Sequence, residues 1–218
     1  DISGTNVGLS GDSSSLKLQA NATFTVKNGG TFNVRNTNGF TGASNTAINN
    51  TNSPTVTLET GSTINYNCPT ANSNQNITPF TNTIIPTPTY TDSNKSYYNM
   101  TISGLGTKSI SSSSEILIGN NLNVTAGTLQ IDSNKLLTVT NLVTNSSGNA
   151  ILIKNSGNLV QINDNVPDVG TIKMTRTSRS MALNDYVYWG SPVQENVLSQ
   201  IPTILNANYM WDTNGTVD

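Results

Sequence analysis

The sequence predicts an all-β chain: a parallel β-helix (β-solenoid) with loop insertions, followed by a small β-rich capping or partial second module. Three observations carry that prediction. Between residues 115 and 162, apolar pairs two apart (Ile116/Ile118, Leu122/Val124, Leu129/Ile131, Leu137/Val139, Ile151/Ile153, Val160/Ile162) mark half-buried strands, because successive side chains of a strand point to opposite faces. Small polar turns separate them, among them Gly119-Asn120, Ala126-Gly127, Ser133-Asn134-Lys135 and Ser156-Gly157. The strands return about every 7 to 9 residues, with a coarser echo near 20 to 22, as stacked coils require. A strand this short cannot bury itself, so the next one must cover it.

Composition narrows the class. The chain has 218 residues, enough for a sizeable core, and only 10% of them are charged, against roughly 25% in ordinary soluble domains. Asn, Thr, Ser and Gly fill the gap, and regularly spaced branched aliphatics separate the chain from disordered polar sequence. A net charge of -2 argues against nucleic acid, which needs a clustered basic surface. The nearest approach to one is Lys173, Arg176 and Arg179, read as a solvated strand face beside a turn. No apolar run approaches the ~20 residues of a membrane-spanning helix, so no membrane insertion is expected. Cys68 is the single cysteine and reads as a small buried hydrophobe beside Pro69, the other readings being an intermolecular bridge or a reactive thiol. With no initiating Met and no signal peptide the chain reads as a mature or excised piece, and we expect the native chain to continue past Asp218.

Taken in order, Leu16/Leu18, Phe24/Val26 and Phe32/Val34 carry the same rhythm. It lapses over about 35–54, which we read as a loop inserted at a coil corner, and resumes with Val56/Leu58 and Ile64/Tyr66. A second lapse covers about 67–95, where Pro69, Pro79, Pro86 and Pro88 lack the donor that a central ladder needs. Tyr98, Met100 and Ile102 restore the alternation. Gly104-Leu105-Gly106-Thr107-Lys108 lacks the spacing of a phosphate loop and reads as a turn. Asn120, Asn134, Asn149 and Asn158 stand where stacked corners would let asparagines hydrogen-bond along the axis. From about Asn163 the repeat stops; 172–177 and 186–189 look like strands, and 194–201 like a short helix. Aromatics gather there (Tyr186, Tyr188, Trp189, Tyr209, Trp211). The expected division is therefore 1–165 as solenoid and 166–218 as an aromatic β-rich cap or the start of a second β domain.

Chemistry is sparse. The chain contains no His, which removes Ser/His/Asp triads, Cys/His pairs and nearly all zinc sites. Glu59, Asp92, Glu115 and Asp132 are dispersed, whereas glycosidases need two carboxylates in proximity. Asp164 and Asp168, with Asn163, form the one local acidic group, readable as a calcium site or as a turn built from Asx side chains. The pairs Thr23/Thr25, Thr55/Thr57 and Thr138/Thr140 suggest the flat threonine faces of ice-binding solenoids, but they read as not recurring on successive coils, which favours ordinary outward strand positions. Asn21, Asn76, Asn94, Asn99, Asn123 and Asn145 begin sequons. No residue is assigned a catalytic, cofactor-binding or metal-binding role, no cofactor is implied, and no enzyme is expected.

Two stretches carry a resemblance. YYNMTISGLGTK (97–108) leading into IGNNLNVTAGTL (118–129) resembles the repeat of large cell-surface proteins of flavobacteria and other Bacteroidetes. GTIKMTR (170–176) followed by DYVYWGSPV (185–193) is similar to the module that often follows that repeat, with Gly190 where Ser is commoner. The resemblance covers 97–218 well and 1–96 only in style. It implies an extracellular or outer-surface protein, adhesin-like, exported by the type IX secretion machinery, and it brings no catalytic residue. The expected function is thus a secreted or cell-surface structural or adhesive β-helix, with surface glycans or other cell-surface proteins as partners. The alternatives are a carbohydrate-binding or polysaccharide-degrading β-helix and a phage or fibre component. Recognition is expected in the two insertions or the aromatic C-terminal module, with 115–162 as scaffold.

Overall fold

The computed structural model describes residues 1–4, 7–69, 74–79, 96–112, 115–146, 151–167, 169–177 and 180. The chain divides into two compact units, Asp1–Thr177 and Ser178–Asp218, and apart from Ser180 the described residues belong to the first. The strands expected at 186–189, the helix at 194–201 and the C-terminal aromatics lie outside them.

The first unit is a parallel β-solenoid of three-strand coils. The first coil is β1 (Val7–Gly8), β2 (Leu16–Lys17) and β3 (Thr23–Val26); the second is β4 (Thr31–Val34), β5 (Ile48–Asn49) and β6 (Thr55–Leu58). The third is β7 (Thr63–Tyr66), β8 (Gln75–Asn76) and β9 (Ser96–Tyr97), and the fourth β10 (Asn99–Ile102), β11 (Thr107–Ile110) and β12 (Glu115–Ile118). Then come β13 (Leu122–Val124), β14 (Thr128–Ile131) and β15 (Leu136–Val139), and finally β16 (Val143–Asn145), β17 (Ile151–Ile153) and β18 (Asn158–Gln161), with β19 (Ile172–Met174) opening a further turn. First strands make one sheet, β1-β4-β7-β10-β13-β16; second and third strands make β8-β11-β14-β17-β19 and β9-β12-β15-β18, with the pairs β2-β5 and β3-β6 in the first two coils. Every pairing is parallel. Met100 lies opposite Leu122 and Leu122 opposite Val143, and Ile118 opposite Tyr97 and Val139, so the later coils repeat every 21 or 22 residues, the length of the echo in the sequence.

In-register stacking turns each alternation into a buried column. Phe32, Ile64, Met100, Leu122 and Val143 line one; Ile110, Ile131 and Ile153 line another, and all are buried. The residues between them are polar, Leu152 excepted, as half-buried strands demand. Glycine is required where two turns nearly touch: Gly127 has φ +69°, and a Cβ there would lie 2.3 Å from the Gly104 carbonyl oxygen.

Three expectations need correction. The 35–54 segment is more than a corner loop, because Ile48 pairs with Leu16 and Phe40, Ala47 and Ile48 are buried. Phe40 packs against Phe24 and Phe32, with ring centroids 6.2 and 5.9 Å away. Part of the 67–95 segment likewise feeds the ladder, through Gln75 and Asn76 paired with Lys108 and Ser109; prolines break a ladder only at their own positions, and β8 holds none. The coil rhythm also runs on past Asn163, since Ile172–Met174 pairs with Ile151–Ile153. There Ile172 and Met174 are left 38% exposed, as befits a terminal rung with nothing regular stacked beyond it among the described residues.

The asparagine ladder is real but sits elsewhere than expected. Asn120 donates to Asn99 (2.9 Å), Asn141 to Asn120 (3.4 Å) and Asn163 to Asn141 (2.8 Å), one amide per coil at the corner before the first sheet. Of the four asparagines expected, Asn120 alone belongs. Asn134 takes a positive φ of 60° in a turn, Asn158 donates to the Ser156 carbonyl, and Asn149 lies outside the described residues.

Replacing Ile131 with Ala is expected to lower the unfolding free energy by ~2–5 kcal/mol, through a cavity between two stacked coils. Asn120→Ala, which removes the bonds to Asn99 and Asn141 while Asn121 still bonds to both, is expected to cost ~0.5–1.5 kcal/mol. Urea midpoints at constant slope check both.

Candidate functional site

The outward face of the first sheet is a continuous uncharged strip. Its register column runs Gly8, Asn33, Asn65, Thr101, Asn123, Thr144. Beside it Thr31, Thr63 and Asn99 stack in a second column. Asn65 donates to Asn33 and Ser103 to Asn65, both at 2.8 Å. An amide carries a donor and an acceptor, so it can stack on its own kind where a charge would repel.

At the N-terminal end this strip opens into a depression of about 190 Å³ lined by Gly8, Leu9, Ser10, Asn33, Arg35 and Asn67. Arg35 is held at its edge by Asp12, 3.0 Å away. Within the lining, Asn67 Oδ1 is buried with no hydrogen-bond partner; a buried acceptor of this kind carries an unmet demand for a donor. Arg35 and Asn67 are the first residues of the two segments where recognition was expected. The depression's chemistry therefore suits a small neutral ligand bearing hydroxyl or amide hydrogens.

Behind that face lies a polar interior that periodicity does not announce. Lys108, read as the end of a turn, points inward between Gln75 and Leu129 and is fully buried. Its ammonium donates to the carbonyls of Cys68 (3.2 Å) and Leu105. Gln75 donates to the Val34 and Asn36 carbonyls (2.6 and 3.0 Å), and its own oxygen accepts from the Cys68 N–H (3.4 Å). Cys68 is a free, buried cysteine. Tyr66 and Tyr97 share a hydrogen bond of 2.9 Å between hydroxyls, and Tyr97 donates onward to the Thr78 carbonyl. Burial pushes Tyr66 up to about 12 and Tyr97 well above the ordinary tyrosine value, and it lowers Lys108, which is desolvated. This interior binds segments to the coils and is closed to solvent.

The other candidate positions scatter. Thr23 and Thr25 do stack on Thr55 and Thr57 in successive coils, against the expectation, but Thr25 and Thr57 are only 7% and 6% exposed; they offer no flat open array. Asp164 stands beside an Asx turn in which Asn163 Oδ1 accepts from the Asn165 N–H (3.2 Å), and Asp168 lies outside the described residues. No group of three or more His, Cys, Asp or Glu able to hold a metal occurs among the described residues. Among the same residues, no helix is long and apolar enough to cross a membrane.

Residues 93–218 match the model of a family described as "Domain of unknown function (DUF8693)". The chain belongs to the DUF8693 family. No curated protein and no solved structure matches it. The DUF8693 span opens just before β9 and takes in the Asn99–Asn163 ladder and Lys108, whereas the depression and Gln75 precede it.

Lys108 and the tyrosines set opposite alkaline trends. An unfolded lysine titrates near 10.5 and the folded Lys108 lower, so between the two values the unfolded chain holds the extra proton and stability rises with pH. The tyrosine contribution is complete below the unfolded value of 10.0 and is lost as pH climbs towards about 12. Unfolding titrations are expected to show wild type gaining on Lys108→Met as pH rises towards the unfolded lysine value of 10.5, and Tyr66→Phe flattening the loss above the unfolded tyrosine value of 10.0.

Proposed function

We propose that this chain is a secreted or cell-surface adhesive stalk whose solenoid holds out a neutral polar recognition face. The observation that carries the proposal is the uncharged Asn/Thr column of the first sheet, ending in a depression with a buried acceptor unmet at Asn67. A solenoid of this kind takes its stability from neighbouring coils and needs no ligand to fold. Its rungs lie ~4.8 Å apart, so the six-stranded first sheet alone separates its ends by roughly 24 Å. Aligned amides and hydroxyls on a rigid face suit saccharide hydroxyls, each of which both donates and accepts. The resemblance of 97–129 and 170–193 to flavobacterial surface repeats supports the same reading, including export by the type IX machinery.

Immobilised chain is expected to retain neutral glycans on an array and to promote attachment of coated beads to cells. Asn67→Ala removes an amide from the lining of the depression, so it is expected to weaken glycan retention several-fold while leaving the urea midpoint in place. Blank arrays together with blank attachment would remove adhesion and leave a spacer role. Retention unaltered in Asn67→Ala would move the site away from the depression.

A further inference from the structure

The chain's few charges are distributed unevenly over the coils. In the first two coils two of the three cations are neutralised, Lys17 being the exception among the described residues: Lys27 lies 2.9 Å from Glu59 and 4.0 Å from Asp1, and Arg35 lies 3.0 Å from Asp12. At the other end of the unit, the corner between the second and third sheets stacks three successive turns, at 132–135, 154–157 and 175–177. Lys154 N–H donates to the Ile131 carbonyl, Thr175 N–H to that of Ile153, and Asn158 N–H to that of Lys135. Lys135 closes the first of these turns and Lys154 opens the second. Arg176 lies across them, donating to the carbonyls of Lys154 (3.2 Å) and Gly157 (3.4 Å). Lys173 is exposed on the outer face of β19, stacked on Leu152.

None of these four cations has an ion-pair partner among the described residues. The one acid at the corner, Asp132, accepts instead from Gln130 at 2.6 Å. Like charges on adjacent rungs repel, and elsewhere this fold meets the same stacking problem with amides. Features that break a fold's own rule are where function is to be sought. Lys173 and Arg176 are three residues apart, but Lys135 and Lys154 lie 19 to 41 residues before them, so coil stacking is what brings the four together.

We infer that the corner formed by Lys135, Lys154, Lys173 and Arg176 is a second binding site, for an acidic polysaccharide bearing carboxylates. The four cations occupy different register positions on three successive rungs ~4.8 Å apart, so together they form a basic patch suited to a polymer that carries several anions along its length. Between the cations lie Asn134, Asn155 and Ser156, whose amides and hydroxyl meet sugar hydroxyls. The chain's net charge of -2 disfavours duplex DNA, which demands a broad basic surface. The inference shares with the adhesive reading only the extracellular setting; its residues and ligand are different.

The test uses the full chain over immobilised polygalacturonate, dextran and duplex DNA in surface plasmon resonance. Polygalacturonate is expected to bind at ~0.1 M salt and to be released at ~1 M, where screening shrinks to ~3 Å; dextran and DNA are expected to bind far more weakly. Lys154→Gln combined with Lys173→Gln is expected to weaken polygalacturonate binding by roughly three- to tenfold. Lys154→Gln alone is expected to weaken it measurably, and Lys17→Gln, the same one-charge change on the exposed β2 side chain, to leave it unaltered. An unchanged urea midpoint in the double variant separates lost binding from lost fold. Equal binding to dextran, salt-independent binding, equal or tighter binding to DNA, or equal effects of the two kinds of variant would each overturn the inference. Bead attachment measured alongside keeps the two readings apart. Attachment without polygalacturonate binding overturns this site and leaves adhesion standing; binding without attachment does the reverse.

Discussion

Every coil of this protein is held by the coil beside it, in register. Its strands are two to four residues long and its turns are short, so neither a local hairpin nor a single sheet face would hide an apolar side chain. Parallel stacking supplies both the hydrogen bonds and the cover, and it imposes a condition: a residue must suit the one above and the one below. The column of Ile110, Ile131 and Ile153 meets it with identical shapes. Lys108 is the instructive departure, because the chain at Cys68 and Leu105 turns carbonyls into the interior that no backbone N–H among the described residues reaches. A long side chain with a donor at its tip satisfies them from within the column, at the cost of desolvating an amine.

The same condition explains why so little charge is tolerated. A side chain repeated at ~4.8 Å meets its own kind, and like ions at that spacing repel, while amides pair head to tail. The ladder from Asn99 to Asn163 and the Asn33–Asn65 pair are the result. Low charge is thus a consequence of the architecture as much as of any environment. Against that background, the lysines kept without ion pairs among the described residues, on neighbouring rungs at the C-terminal corner, stand out as something stability alone does not ask for.

What could be read in advance followed from periodicity. Strands of four residues with Ile, Leu or Val at alternate positions announce themselves, and so did the coil length. Two-residue rungs carry no period: Ile48–Asn49 and Gln75–Asn76 are visible only through the partners they stack on. Phe40, set between Asn38-Gly39 and Gly42, has no alternating neighbour, yet it joins the aromatic cluster of the first coils. The outward strip and the depression were illegible for the same reason, as were Lys135 and Lys154 of the basic corner, of which the sequence grouped only Lys173 and Arg176. Each is assembled from residues about one coil apart, and stacking rather than spacing decides which of the chain's many Asn, Thr and Lys residues become neighbours.

The coils also divide by regularity. From β10 to β16 the first-sheet rungs return every 22 or 21 residues, whereas Phe32 to Ile64 and Ile64 to Met100 span 32 and 36. The extra length in those coils leaves the first sheet unbroken: it is accommodated between the first and second strands, or between the second and third. Because solenoid stability accumulates from nearest-neighbour contacts, an uninterrupted sheet transmits register past an insertion at the cost of ordering the added residues. The DUF8693 span begins at residue 93, where the regular coils begin. The inserted coils before it supply Arg35 and Asn67 to the depression, and the regular coils within it supply the axis and the basic corner. Irregularity builds one candidate surface and strict repetition builds the other, on a single continuous ladder.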